Sequence, residues 1–223
     1  MIKKGIILAG GMGTRMSPLT KAVNKQLLPL YDKPLIFYPL SVLMLAGIKN
    51  ILIIVNKGQL SQFKKILPEK NNLGVKIRYI EQSEPKGLPD AFILGEKFIE
   101  KEKVALILGD NFFYGQSLTE KLKKSLNHNF GAKIFLKEVK KPENYGVAKI
   151  SKNKISKILE KPKRFISKYA ITGLYFFDKD VHQLSKTLKP SNRGELEITD
   201  LLKIYQKEKN LTYELIGRGA IWS

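Results

Sequence analysis

The run GIILAGGMGTRMSPLTKAVNKQLLPL, Gly5 to Leu30, sets three glycines, an arginine and then a lysine behind a short apolar segment. Residues without a Cβ let backbone N–H groups approach phosphate oxygens, and Arg15 adds a charged fork, so the loop is built for an anion. Neither common recipe applies. A dinucleotide fingerprint needs a third glycine where Met16 stands, and a P-loop needs a lysine directly after the glycines. Two more polar groups follow apolar runs. Gly109–Asp110–Asn111 ends Val104–Leu108, and a carboxylate there suits a hard divalent cation bridging phosphates. Glu160–Lys161–Pro162 ends a run that begins near Ile155. Each also has an ordinary reading, as a tight turn, a helix cap or a solvated ion pair.

The elements that must position these groups alternate in type. Ile6–Ala9, Ile51–Val55, Ile77–Ile80 and Val104–Leu108 read as strands, with apolar residues at helical spacing in Leu35–Ala46, Gln59–Ile66 and Leu88–Ile99 between them. That order predicts parallel strands with helical crossovers, and ILIIV and VALIL suit strands buried on both faces. Ligands of such sheets bind beyond the carboxyl ends of the strands. Past Asp110 the sequence predicts a helix over SLTEKLKKSLN, with Ser117 and Glu120 as a capping box. Strands Lys133–Val139, Val147–Ile150 and Ile155–Leu159 read as antiparallel, followed by a strand at Ala170–Phe177 and a helix at Glu197–Lys207. The expected fold class is α/β with a mixed, mostly parallel central sheet flanked by helices, in a single domain over residues 1–223.

Composition narrows the chemistry. With no cysteine, a disulfide scaffold, a thiolate metal site and a cysteine nucleophile are excluded. His128 and His182, the only histidines, lack partners at metal-ligand spacing and read as surface residues. No run approaches the roughly 18 apolar residues of a membrane span, and the start has no signal-type apolar segment, so a cytoplasmic protein is expected. The net charge is +20, and residues 121–168 hold 15 Lys/Arg against three acidic residues. Yet 35 of the 40 basic residues are lysines, dispersed rather than interleaved with aromatics. A solvated lysine surface therefore accounts for the charge better than an acidic-substrate field or specific nucleic-acid binding.

Taken in order, the motifs carry more than they do singly. G-G-x-G-T-R-x-x-P-x-T followed by K-Q-L-L-P resembles the signature of the sugar-1-phosphate nucleotidylyltransferases. The resemblance continues through YDKPLIFYPLS, EQSEPKGLPDA, LGDNFFYG, YGV, EKP, YAITGLYFFD and RGELEITD, and so covers nearly the whole chain. Within the family it is nearest to members that transfer a thymidylyl group to glucose 1-phosphate. It implies a Rossmann-like fold of the nucleotide-diphospho-sugar transferase type, with a nucleotide-binding half at 1–110 and a sugar-phosphate-binding half at 111–223.

The resemblance also implies roles. Leu8, Gly10, Gly11, Gly13, Thr14, Arg15, Lys25, Gln26, Gln82, Gly87 and Asp110 would hold the nucleotide. Arg15 and Lys25 would face the leaving pyrophosphate, while Gln82 and Gly87 would read a pyrimidine. Asp110 would hold Mg²⁺. Asn111, Gly146, Glu160 and Ile171 would contact the sugar, with Lys161 and Arg193 on its phosphate; Arg15, Lys25, Asp110 and Lys161 are the expected catalytic set. The substrates would be dTTP, or UTP, and a sugar 1-phosphate, and a homo-oligomer is expected at full length. Pro89 and Asp90 depart mildly from the family pattern. Family members continue through W-x-D-x-G, whose Asp is a second metal ligand, whereas Trp222 and Ser223 end this sequence. The expectation is then slowed transfer or a non-catalytic nucleotide-sugar-binding protein.

Overall fold

A computed structural model describes residues 1–11, 13, 16–127, 131–208 and 210–223. The first half runs β1 (Lys4–Ala9), α1 (Leu19–Ala22), β2 (Pro29–Leu30), β3 (Lys33–Pro34), α2 (Phe37–Ala46), β4 (Asn50–Asn56), α3 (Leu60–Ile66), β5 (Lys76–Gln82), α4 (Asp90–Leu94), α5 (Glu96–Ile99) and β6 (Val104–Leu108). The second runs β7 (Phe113–Gly115), α6 (Leu118–Leu126), β8 (Ala132–Glu138), β9 (Gly146–Ser151), β10 (Lys154–Glu160), β11 (Tyr169–Phe177), α7 (Val181–Lys186), α8 (Ile198–Lys207), β12 (Leu211–Ile216) and β13 (Ala220–Trp222).

Nine strands form the main sheet, in the order β10-β9-β11-β6-β1-β4-β5, with β8 on β11 and β12 on β8. β6, β1, β4 and β5 are mutually parallel, as their sequences lead one to expect. The uninterrupted apolar runs of β1, β4 and β6 serve two cores at once, because successive side chains of a strand face opposite ways. Ile7, Ile51, Ile53, Val55, Ala105 and Ile107 enter one core with α2, α3 and α6. Ile6, Leu52, Ile54, Val104 and Leu106 enter the other, under α4, α5, α7 and α8.

Several expectations need correction. The helix expected over Leu88–Ile99 divides at Gly95, which lies so close to the sheet that a Cβ would stand 2.8 Å from Ala91 O and 3.3 Å from Ile6 and Leu52. Ser117 forms no capping box. It is left-handed, at φ 58°, and its side chain caps nothing, whereas a side-chain N-cap needs extended backbone. Of the strands expected to be antiparallel, β9 and β10 form a hairpin, but β8 skips both to pair with β11 and, in parallel, with β12. His182 is buried, its Nε2 3.2 Å from Glu96 Oε1 between α7 and α5, and is no surface residue. His128 lies outside the described residues.

The far end of β11 is tied by one buried carboxylate. Asp178 Oδ1 accepts from Tyr205 Oη at 2.9 Å and from Asp180 N at 3.0 Å, while Oδ2 accepts from Gly131 N. The fully buried Tyr205 hydroxyl is held far above its ordinary pKa by burial, with Asp178 adding to the effect. Asp178→Ala strands the tyrosine hydroxyl and the Gly131 amide without acceptors, and each orphaned donor costs about 1–3 kcal/mol. Urea unfolding is expected to show Asp178→Ala destabilised by about 3 kcal/mol and Tyr205→Phe by about 1 kcal/mol.

Candidate active site

The site is set by where β1 and β6 stop. Leu8 pairs with Leu108, and Gly109 N donates to Leu8 O at 2.8 Å, so the glycine loop and Asp110 leave the sheet side by side. Gly109 permits this approach, since a Cβ there would lie 3.0 Å from Ala9 Cα. Lys25 arrives from a 3-10 turn over Lys25–Leu27. Buried Asn24 fastens that turn, its Oδ1 accepting from Gln26 N at 2.8 Å and its Nδ2 reaching Gln59 Oε1 at 2.5 Å. Lys25 Nζ then meets Asp110 Oδ2 at 2.7 Å.

Two clefts share Asp110. The first, of about 250 Å³, is lined by Leu8, Gly10, Gly11, Gln26, Gln82 and Gly87 among others. In its wall the Gln26 side chain is buried, and Oε1 has no hydrogen-bond partner among the described residues, so a ligand donor would relieve it. The second, of about 980 Å³, is walled by Lys25, Tyr38, Asn111, Phe112, Tyr145 and Trp222. Tyr38 meets Phe112 edge-on at 5.1 Å, and Tyr145 packs on Trp222 at 5.2 Å.

The glycines differ in their reasons. Gly13 has φ +60°, and a Cβ on it would lie 2.8 Å from Thr20 Cγ2, whose Oγ1 donates to Gly13 O. Gly10 makes room for the Gln82 amide: a Cβ would fall 2.0 Å from Nε2, so that amide would have to move. Gly87, at φ +103°, bridges to Leu196 across the cleft, where a Cβ would meet Leu196 O at 2.1 Å. Thr14 and Arg15 lie outside the described residues.

On the sugar-phosphate side, the expected residues come together by strand register. Gly146 pairs with Glu160 across β9 and β10. A Cβ at Gly146 would lie 3.2 Å from Glu160 Oε2 and 3.7 Å from Ile171. Asn111 is less open than its motif suggests. Its Oδ1 accepts from Trp222 Nε1 at 2.6 Å and from Gly173 N at 3.1 Å, so only Nδ2, 3.2 Å from Asp110 Oδ1, remains for a sugar. Arg193 is surrounded by carboxylates, at 3.0 Å from Glu195, 3.5 Å from Glu197 and 3.9 Å from Glu160. Lys161 is exposed, its N–H bonded to Tyr145 O at 3.1 Å.

Asn24, Asn56 and Glu197 carry no expected role in the sequence, and Trp222 only its place in the W-x-D-x-G motif. Glu197 sits within RGELEITD, so its motif offers a signal too. Asn24 and Asn56, and the bond from Trp222 to Asn111, depend on neighbours that only the fold supplies.

No three His, Asp or Glu side chains converge as a metal cluster among the described residues. Asp110 offers one carboxylate, a third exposed, which fits a cation that takes its other oxygens from phosphates and water.

Burial, and then the Glu197 charge, push the Glu160 carboxyl above its ordinary value. The folded state therefore holds this proton more tightly than the unfolded chain, and its contribution to stability falls as pH rises from the ordinary carboxyl range through the raised value. Glu160→Gln removes that term. Urea unfolding at pH 4 and pH 7 is expected to show the variant gaining on the parent protein at the higher pH; an unchanged difference would place Glu160 in an ordinary, solvated environment.

Residues 4–223 match the family model described as nucleotidyl transferase. The glucose-1-phosphate thymidylyltransferase of Neisseria meningitidis is 50% identical over 98% of this chain and 76% of its own length. That of Mycobacterium tuberculosis is 44% identical over the same share of each. Among solved structures, a Bacillus anthracis protein assigned as a glucose-1-phosphate thymidylyltransferase, in complex with a sucrose, superposes with a TM-score of 0.91 at 40% identity, over 99% of this chain and 88% of its own. A UDP-glucose pyrophosphorylase complexed with UDP-glucose gives 0.83 at 28% identity, over 97% and 91%. With the glycine loop, Asp110 and the two joined clefts in one α/β sheet, the chain belongs to the nucleotidyl transferase family, beside relatives that are glucose-1-phosphate thymidylyltransferases.

Proposed function

We propose that this protein transfers a thymidylyl group from dTTP to glucose 1-phosphate, giving dTDP-glucose and pyrophosphate. The observation that carries the reading is the Lys25–Asp110 pair, 2.7 Å apart, where the two clefts meet. One cleft receives the nucleotide and the other side of Asp110 the sugar phosphate. A sugar-phosphate oxygen attacks the α-phosphorus, forming an O–P bond as the bond to the departing pyrophosphate breaks. The attacking oxygen is already anionic at neutral pH, so no side chain need remove a proton. The protein's task is to bring two polyanions into line and to balance the charge that grows on the leaving group.

Lys25, held on its fastened turn, supplies a cation for the pyrophosphate, joined by Arg15. Asp110 would hold Mg²⁺, which when bound screens the phosphate charges. Gln82 reads the base, the remaining Nδ2 of Asn111 and the buried Glu160 carboxyl meet sugar hydroxyls, and exposed Lys161 takes the sugar phosphate.

The assay is pyrophosphate release from dTTP and glucose 1-phosphate. Lys25→Ala is expected to lower kcat by roughly 100-fold with little change in KM, because its interaction grows in the transition state. A kcat within twofold of the parent's would remove Lys25 from this role. Base choice gives a second check: with Gln82 and Gly87 reading a pyrimidine in the cleft they line, dTTP and UTP are expected to serve, and ATP and GTP hardly at all.

A further inference from the structure

We propose that Asn56 is a positioning residue for base selection: together with the Gly10 carbonyl it holds the Gln82 amide so that the cleft meets an acceptor and no donor. The inference rests on the reading above that Gln82 faces the base. Asn56 and Gln82 are register partners at the carboxyl ends of β4 and β5. Gln82, 4% exposed, donates from Nε2 to Gly10 O at 3.1 Å and to Asn56 Oδ1 at 2.9 Å.

A peptide carbonyl can only accept, so the corner of the amide that faces Gly10 has to be the NH₂ group. Asn56 then takes the second N–H. With both donors committed, Oε1 is the polar atom left for the cleft. The absence of a side chain at residue 10 preserves the arrangement, because a Cβ there would stand 2.0 Å from Nε2 and 3.0 Å from Asn56 Oδ1.

An amide that can only accept distinguishes one pyrimidine from another. Thymine and uracil have a single ring-edge donor, N3–H, so Oε1 must meet them there. Cytosine has a lone pair at N3, and the same approach would set two acceptors against each other in a buried place. A site built to pair with a particular polar group discriminates when that pairing fails, here by roughly 10- to 100-fold. Without Asn56 the amide is held on one side only. The terminal torsion of a glutamine is broad, so the group is then free to turn Nε2 toward the ring.

The experiment is calorimetric binding of dUTP and dCTP, which share a sugar, a triphosphate and an unmethylated C5 and differ only at the N3–C4 edge. The parent protein is expected to favour dUTP by roughly tenfold or more. Asn56→Ala and Asn56→Leu, two ways of deleting the acceptor, should bring the ratio within about threefold, chiefly by weakening dUTP. Asn56→Asp keeps an acceptor and should restore the preference. A fall shared equally by both nucleotides would show a merely structural role and overturn the proposal, as would a parent protein that binds the two alike or binds neither. Because binding is read without transfer, a chain that discriminates yet makes no nucleotide sugar refutes the proposed reaction while upholding the role of Asn56.

Discussion

The parallel pairing of β1 with β6 is the constraint on which the site depends. It brings Leu8 and Leu108 to one level, so the glycine loop and Asp110 emerge together although about a hundred residues separate them. Three helix-linked strand pairings in one direction place the ends of β4 and β5 there too, with Asn56 and Gln82. The apolar residues that enforce this arrangement take no part in chemistry. Burial on both faces fixes the register of β1, β4 and β6, since a slip by one residue would exchange the side chains facing the two cores. Position at the site is thus a consequence of core packing.

Polar groups at the strand ends are held by one another more than by the sheet. Gln82, Asn111 and Asn24 each commit particular amide atoms to protein partners, and what remains to face a ligand is determined by what has been used. Such buried networks are favourable only when every member is satisfied. They suit a site that must present fixed donors and acceptors to a small rigid base. Lys25 and Asp110 are different: a partly exposed ion pair contributes little to stability. On the proposed reading a triphosphate competes for Lys25, and the carboxylate it leaves is then open to a cation.

Much of this was legible in the sequence, for identifiable reasons. Continuous apolar runs marked β1, β4 and β6, and Gly-rich or acidic residues directly after them marked the site. What escaped depended on contacts between distant segments. His182 gives no sign of burial in its own neighbourhood, because Glu96 is supplied by another helix. Ser117 has the right residue three positions ahead of Glu120, yet its left-handed backbone prevents the cap. In the sequence the glycines look alike, as room for phosphates. Only the fold separates Gly13, needed for its dihedral and for Thr20, from Gly10, needed for the amide of a residue 72 positions away. Trp222, likewise, matters through Asn111, whose carbonyl oxygen it occupies.

Charge at the sugar-phosphate side runs against the chain as a whole. The protein carries a net +20, yet Arg193 is encircled by Glu160, Glu195 and Glu197. A simple field for attracting anions would not place three carboxylates there. A sugar phosphate, however, has two unlike ends: hydroxyl groups, which need acceptors, and a dianion, which needs a cation. On the proposed reading grouped carboxylates would meet the first requirement, with Arg193 between them limiting their mutual repulsion. Even so, burial first and the Glu197 charge second keep the Glu160 carboxyl above its ordinary value. Lys161, next in the chain, is exposed and turned by its positive φ of 36°, and on the same reading it is the cation for the phosphate. The sharp backbone turn after β10 thus separates acceptor from cation within two consecutive residues, as a ligand with a neutral end and a charged end requires.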